Sequence, residues 1–87
     1  PQSRIMLVLV VEDNEVNREV AEIMLKKRGH RVATATNGAE AVEKIKEEHP
    51  DIILMDCHMP VMDGYETTNH IRMMEQNGII KHIPIIA

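Results

Sequence analysis

Two stretches decide the fold: residues 5–13, IMLVLVVED, and residues 51–64, DIILMDCHMPVMDG. In each, a run of Ile, Leu, Val and Met ends abruptly in acid, at Glu12-Asp13 in the first and at Asp56 in the second. Runs this short, and continuous rather than alternating, read as strands covered on both faces, the pattern of a parallel sheet. Parallel strands present their carboxyl ends along one edge, where open α/β sheets build their sites. Glu12, Asp13 and Asp56 are therefore expected in one crevice.

Outward from these stretches, strand and helix alternate. Residues 5–11 are predicted as the first strand, and Asn14 as the N-cap of a helix reaching residue 28. Val16, Val20, Ile23 and Met24 are spaced to form its buried face, and Gly29 stands where a helix takes its C′ glycine. Residues 31–35 form a short second strand. Asn37-Gly38 turns into a helix over 39–48 with Ala41, Val42 and Ile45 inward, stopped by Pro50. Residues 51–56 are the third strand. After the Pro60 to Gly64 turn, a third helix over 65–76 places Tyr65, Thr68, Ile71 and Met74 inward, and Asn77-Gly78 breaks it. Residues 83–87 are the fourth strand. This order implies right-handed crossovers, an α/β fold and an open parallel sheet with helices on both faces. No helix follows strand four, so one side of the sheet is expected to lie bare. The apolar edge there is expected to pair with whatever it meets, a second copy included.

The bulk numbers agree. Eighty-seven residues make one small domain. At 44% hydrophobic and 28% charged, the chain has the composition of a folded globular protein rather than a disordered one. Tyr65 is the only aromatic, so the core must be aliphatic, with methionine filling gaps. The net charge is −4 and the basic residues are scattered, which argues against a nucleic-acid footprint. The longest apolar run is too short to cross a bilayer, and no signal peptide precedes it. A lone cysteine forms no internal disulfide, in keeping with a reducing cytoplasm. The opening Pro-Gln-Ser, without methionine, reads as a segment of something longer.

Three carboxylates in a partly dry pocket repel one another by several kcal/mol, on the order of 332/(εr) with an effective ε near 20. Either one holds a proton or a hard cation bridges them. The donor set is all oxygen and lacks histidine at zinc-binding spacing, which suits Mg²⁺. A carboxylate at the centre can then attack phosphorus to form an aspartyl phosphate. Asp56, alone at a strand end, is the nucleophile candidate, and Glu12-Asp13 the metal-holding pair. The plainer alternative, that such acids are helix caps or solvated turn residues, suits any one of them better than all three together.

VLVVEDNEVNR over residues 8–18 and DIILMDCHMPVMDGYETT over residues 51–68 resemble the receiver domain of two-component response regulators and hybrid histidine kinases. The resemblance runs from about residue 4 to residue 87 and implies a flavodoxin-like (βα)5 receiver, incomplete over 1–87 because the fourth helix, fifth strand and fifth helix are not in the sequence. It implies that Asp56 accepts a phosphoryl group from a phosphohistidine. It also implies that Glu12, Asp13, Asp56 and the backbone carbonyl of His58 bind Mg²⁺, and that Met59-Pro60 and Asp63-Gly64 belong to the loop after strand three. Asn17 and Cys57 are candidates for the phosphate pocket. The family carries a Thr or Ser just after strand four and a Lys after strand five, and the sequence ends before both. Expected partners are a histidine kinase or a histidine phosphotransfer protein, with no nucleic acid or membrane contact by this domain. The expected location is the cytoplasm, or the cytoplasmic portion of a membrane-bound hybrid kinase.

Smaller signals weigh less. Cys57-His58 lacks metal-ligand spacing, and His58 is a candidate for influencing hydrolysis of the phosphoryl group. His30, His49, His70 and His82 read as solvated surface. No G-x-G-x-x-G or G-K-[ST] follows any strand. Two other functions compete. A Mg²⁺-dependent phosphohydrolase wants D-x-D after strand one, where this chain has Glu-Asp-Asn. An unphosphorylated assembly unit would complete its sheet by pairing at strand four.

Overall fold

The computed structural model describes residues 5–55 and 64–86. β1 (Leu7–Val11), α1 (Glu15–Lys27), β2 (Arg31–Ala35), α2 (Gly38–Glu48), β3 (Ile52–Met55), α3 (Gly64–Gln76) and β4 (Ile85–Ile86) follow in that order. The four strands pair in parallel in the order β2-β1-β3-β4. β1 is therefore interior and needs apolar side chains on both faces, which the continuous run supplies: Val8, Leu9, Val10 and Val11 are all buried.

The two faces differ. Leu9, Val11, Ala35, Ile53 and Met55 join Ala41, Val42 and Ile45 of α2 and Ile71 and Met74 of α3 in one core, with Ile83 beside them. On the opposite face α1 packs over β1 and β2. β3 is covered less completely there, and Ile52 and Leu54 are only half-buried.

Helix ends follow local chemistry. Asn14 Oδ1 accepts from the Asn17 amide at 2.9 Å, and Asn37 Oδ1 from the Glu40 amide at 2.8 Å. Glu40 reaches back to the Thr36 amide at 2.9 Å, closing a variant of the capping box. At the far end of α1, Gly29 adopts φ 88°, its amide bonds Lys26 and the His30 amide bonds Leu25. That paired closure is a Schellman motif. Gly78, at φ 74°, ends α3 in the same way. His49, at φ 53°, closes α2 ahead of Pro50.

Several boundaries and faces differ from expectation. β1 starts at Leu7 rather than residue 5, and β4 is two residues long. Val16, Val20, Ile23 and Met24 are exposed rather than buried. α1 turns Arg18, Ala21, Glu22 and Leu25 toward the sheet, since these are its residues of intermediate exposure. In α3, Tyr65 is exposed and Thr67 is fully buried. The expected face advanced in threes, which drifts about 60° per step on a helix of 3.6 residues per turn. Thr67, Ile71 and Met74, at i, i+4 and i+7, share the true inner face. The end of the third strand at residue 56 and of the fourth at residue 87 lie outside the described residues.

Candidate functional site

The register pairs Val11 of β1 with Met55 of β3, so the carboxyl ends of these two strands lie side by side. The connection from β1 runs through α1 on one face, and β3 lies on the other side of β1 from β2. Such a reversal of strand order opens a crevice at the strand ends, where open α/β sheets bind ligands. Glu12 and Asp13 follow β1 directly into that edge.

Their backbone is held firmly. The Glu12 amide donates to the Ala35 carbonyl at 3.0 Å, extending the β1–β2 ladder by one bond. Arg18 Nη1 donates to the Glu12 carbonyl at 2.9 Å, and the Asn14 amide donates to Glu12 Oε2 at 3.1 Å. One carboxylate oxygen of Glu12 thus helps shape the turn into α1, while Asp13 is exposed at the edge. The two carboxylates provide an oxygen-only donor set suited to a hard divalent cation. Among the described residues no cluster of three metal-ligating side chains occurs.

Asp56, the expected third carboxylate, lies outside the described residues together with Cys57, His58, Met59, Pro60 and Asp63. Asn17 is exposed in the first turn of α1, where its amide completes the Asn14 cap. Sequence reasoning missed Arg18. Its i, i+6 reach across the strand–helix turn has no local signature, although a basic residue one turn beyond an acid pair is a signal worth testing. His70 and His49 are exposed as expected. His30 is not merely solvated, because its Nδ1 accepts from the Met6 amide at 3.2 Å. His82 is exposed but lies 3.4 Å from Glu75.

Among the described residues no helix is long and apolar enough to cross a membrane. Residues 8–87 match the family model for the response regulator receiver domain. The hybrid signal transduction histidine kinase M of Dictyostelium discoideum is 48% identical over 82 residues, spanning 92% of this chain and 3% of that protein. A receiver domain of a sensor histidine kinase from Pseudomonas aeruginosa PAO1, solved with a magnesium ion coordinated in its active-site cleft, superposes with a TM-score of 0.82 at 41% identity, covering 94% of this chain and 65% of that one. A chain of the Saccharomyces cerevisiae co-crystal of the histidine phosphotransfer protein Ypd1 with the receiver domain of Ssk1 matches with a TM-score of 0.83 at 33% identity, over 94% of this chain and 60% of that one. This chain therefore spans a small part of the kinase it resembles and less than two thirds of these solved chains. A sheet ordered β2-β1-β3-β4, an acid pair at the tip of β1 and a match over nearly the whole length lead to one assignment: the chain belongs to the response regulator receiver domain family, with the flavodoxin-like fold of its members.

Proposed function

We propose that this receiver accepts a phosphoryl group on Asp56 from the phosphohistidine of a histidine kinase or histidine phosphotransfer protein, in the cytoplasm, and that the added charge switches an output surface. The observation that carries the reading is the side-by-side ending of β1 and β3. Val11 pairs with Met55, Glu12-Asp13 follow the one strand, and Asp56 is the next residue in sequence after the other. In the transfer, an Asp56 carboxylate oxygen forms the bond to phosphorus as the phosphorus–nitrogen bond to histidine breaks, and the electron pair returns to the imidazole ring. Glu12, Asp13, Asp56 and the His58 backbone carbonyl are the groups we assign to Mg²⁺, which when bound supplies positive charge against the phosphoryl oxygens. Arg18 holds the Glu12 carbonyl and so orients the acid pair. Asn17 and Cys57 are assigned to the rim of the phosphate pocket, and His58 to the path of the water that removes the phosphoryl group.

The test is phosphorylation by acetyl phosphate or a phosphohistidine donor with Mg²⁺, in the protein that carries this sequence, read by intact mass. One phosphoryl group is expected on the wild type and none on Asp56→Asn. Label persisting on Asp56→Asn would refute the assignment. Separately, Asp13→Asn should weaken Mg²⁺ binding by about 10-fold or more. An unchanged affinity by calorimetry removes Asp13 from the metal site.

A further inference from the structure

Of the large hydrophobic side chains that stand exposed, four sit on one helix. Val16, Val20, Ile23 and Met24 of α1 are 67%, 49%, 56% and 52% exposed. Apolar surface gathered in this way marks an interaction face. Val16, Val20, Ile23 and Lys27 follow the 4-3-4 spacing of a coiled-coil seam, and the seam points away from the sheet, because Arg18 and Leu25 occupy the opposite side. Glu19 and Lys26 flank the seam on one side and Asn17 and Met24 on the other.

We propose that α1 pairs antiparallel with the α1 of a second copy of this chain. Charge selects both the partner and the direction. The helix is acidic at its start, with Glu15, Glu19 and Glu22, and basic at its end, with Lys26, Lys27 and Arg28. Antiparallel pairing about a two-fold axis between Val20 and Ile23 sets Val20 across from Ile23 and Val16 across from the aliphatic stem of Lys27. It also brings Glu19 of each copy to Lys26 of the other, twice by symmetry. Parallel pairing would stack the two Lys27 side chains on the seam and leave Glu19 facing Met24. Lys26 already lies 3.0 Å from Glu22, but at 59% exposure this surface pair holds it weakly enough to be redirected. A two-helix contact of this length buries less than about 1,200 Å² in total, the range of weak association. Dimers are therefore expected in concentrated solution and monomers in dilute solution.

Sedimentation velocity of the receiver domain of the protein that carries this sequence, from micromolar to millimolar concentration, tests this. A concentration-dependent dimer is expected, with Ile23→Glu raising its dissociation constant by about 10-fold or more. Ile23 is exposed, so circular dichroism should show that variant folded as the wild type is. Glu19→Lys and Lys26→Glu should each weaken the dimer severalfold, and the two together should restore it. Four results overturn the pairing: a monomer at every concentration, a dimer indifferent to Ile23→Glu (as pairing through β4, where Ile86 is exposed, would be), a double reversal no tighter than the singles, or a stripe that binds a helical phosphotransfer protein while the chain stays monomeric.

Discussion

Removing the Glu75 carboxylate should detach β4 from α3. Its side chain is 13% exposed, with Oε2 accepting from the Ile83 amide at 2.8 Å and lying 2.7 Å from Arg72 Nη1. Arg72 Nη1 donates in turn to the Ile83 carbonyl at 3.0 Å, so the pair brackets both backbone groups of the residue that leads into Pro84 and β4. The Pro84 carbonyl then accepts from the Ile53 amide at 3.0 Å, the first bond joining this segment to β3. Glu75→Ala forfeits a charge-assisted bond to a part-buried amide, about 1.5–3 kcal/mol, and a partly exposed ion pair worth up to about 1 kcal/mol. The expected loss is about 1.5–4 kcal/mol. Glu75→Gln keeps an acceptor for Ile83 and should lose about 1 kcal/mol. Burial works to raise the pKa of Glu75, but the Ile83 amide, His82 and Arg72 outweigh it and hold the carboxyl below its ordinary value of 4.5. A depressed carboxylate adds stability above its unfolded pKa and loses it as pH falls through the folded one. The advantage of wild type over Glu75→Gln should therefore be full at neutral pH and shrink below about 4.5. Urea unfolding followed by far-ultraviolet circular dichroism measures all three chains. Ala and Gln variants that agree within about 0.5 kcal/mol, or a gap that persists under acid, would refute the bracket.

Three other outcomes follow from the packing. Asp51 Oδ2 accepts from the Leu7 amide at 2.8 Å while the Asp51 amide donates to the Leu7 carbonyl at 2.8 Å; Asp51→Ala should cost about 1–3 kcal/mol and speed hydrogen exchange at Leu7 more than at Val10. Gly29→Ala, at φ 88° with open space around the new methyl, should lose about 1–2 kcal/mol from backbone strain alone, seen as a drop in Tm of at least about 4 °C. Ile71→Ala, fully buried against α2 and the sheet, should lose about 2–5 kcal/mol, whereas Ile23→Ala on the exposed stripe should stay within about 0.5 kcal/mol; comparable losses in the two would mean that α1 packs differently.

What was legible in the sequence was local or binary. β2 matches its expected range, and the inner face of α2 and the caps at Asn14 and Gly29 appear where the residues point, because each depends on a few neighbouring residues. The place of the acid pair was legible too, since an apolar run that stops in Glu-Asp puts both acids at the carboxyl end of its strand. The bonds that fix the pair and the β4 segment were not. Arg18 to the Glu12 carbonyl, and Arg72 with Glu75 around Ile83, join groups 6 to 11 residues apart through turns that no periodicity encodes. α1 is the instructive failure. The rule that hydrophobic faces turn inward places its strongest apolar stripe in the core, yet β1 and β2 are covered on that side by Ala21 and Leu25 with the stems of Arg18 and Glu22. Small and long-stemmed residues suffice against strands that carry Val32 and Thr34 there. The aliphatic stripe was then free to face outward. Periodicity marks a surface that water disfavours, but whether the sheet or another helix covers it depends on which face the strands leave room for.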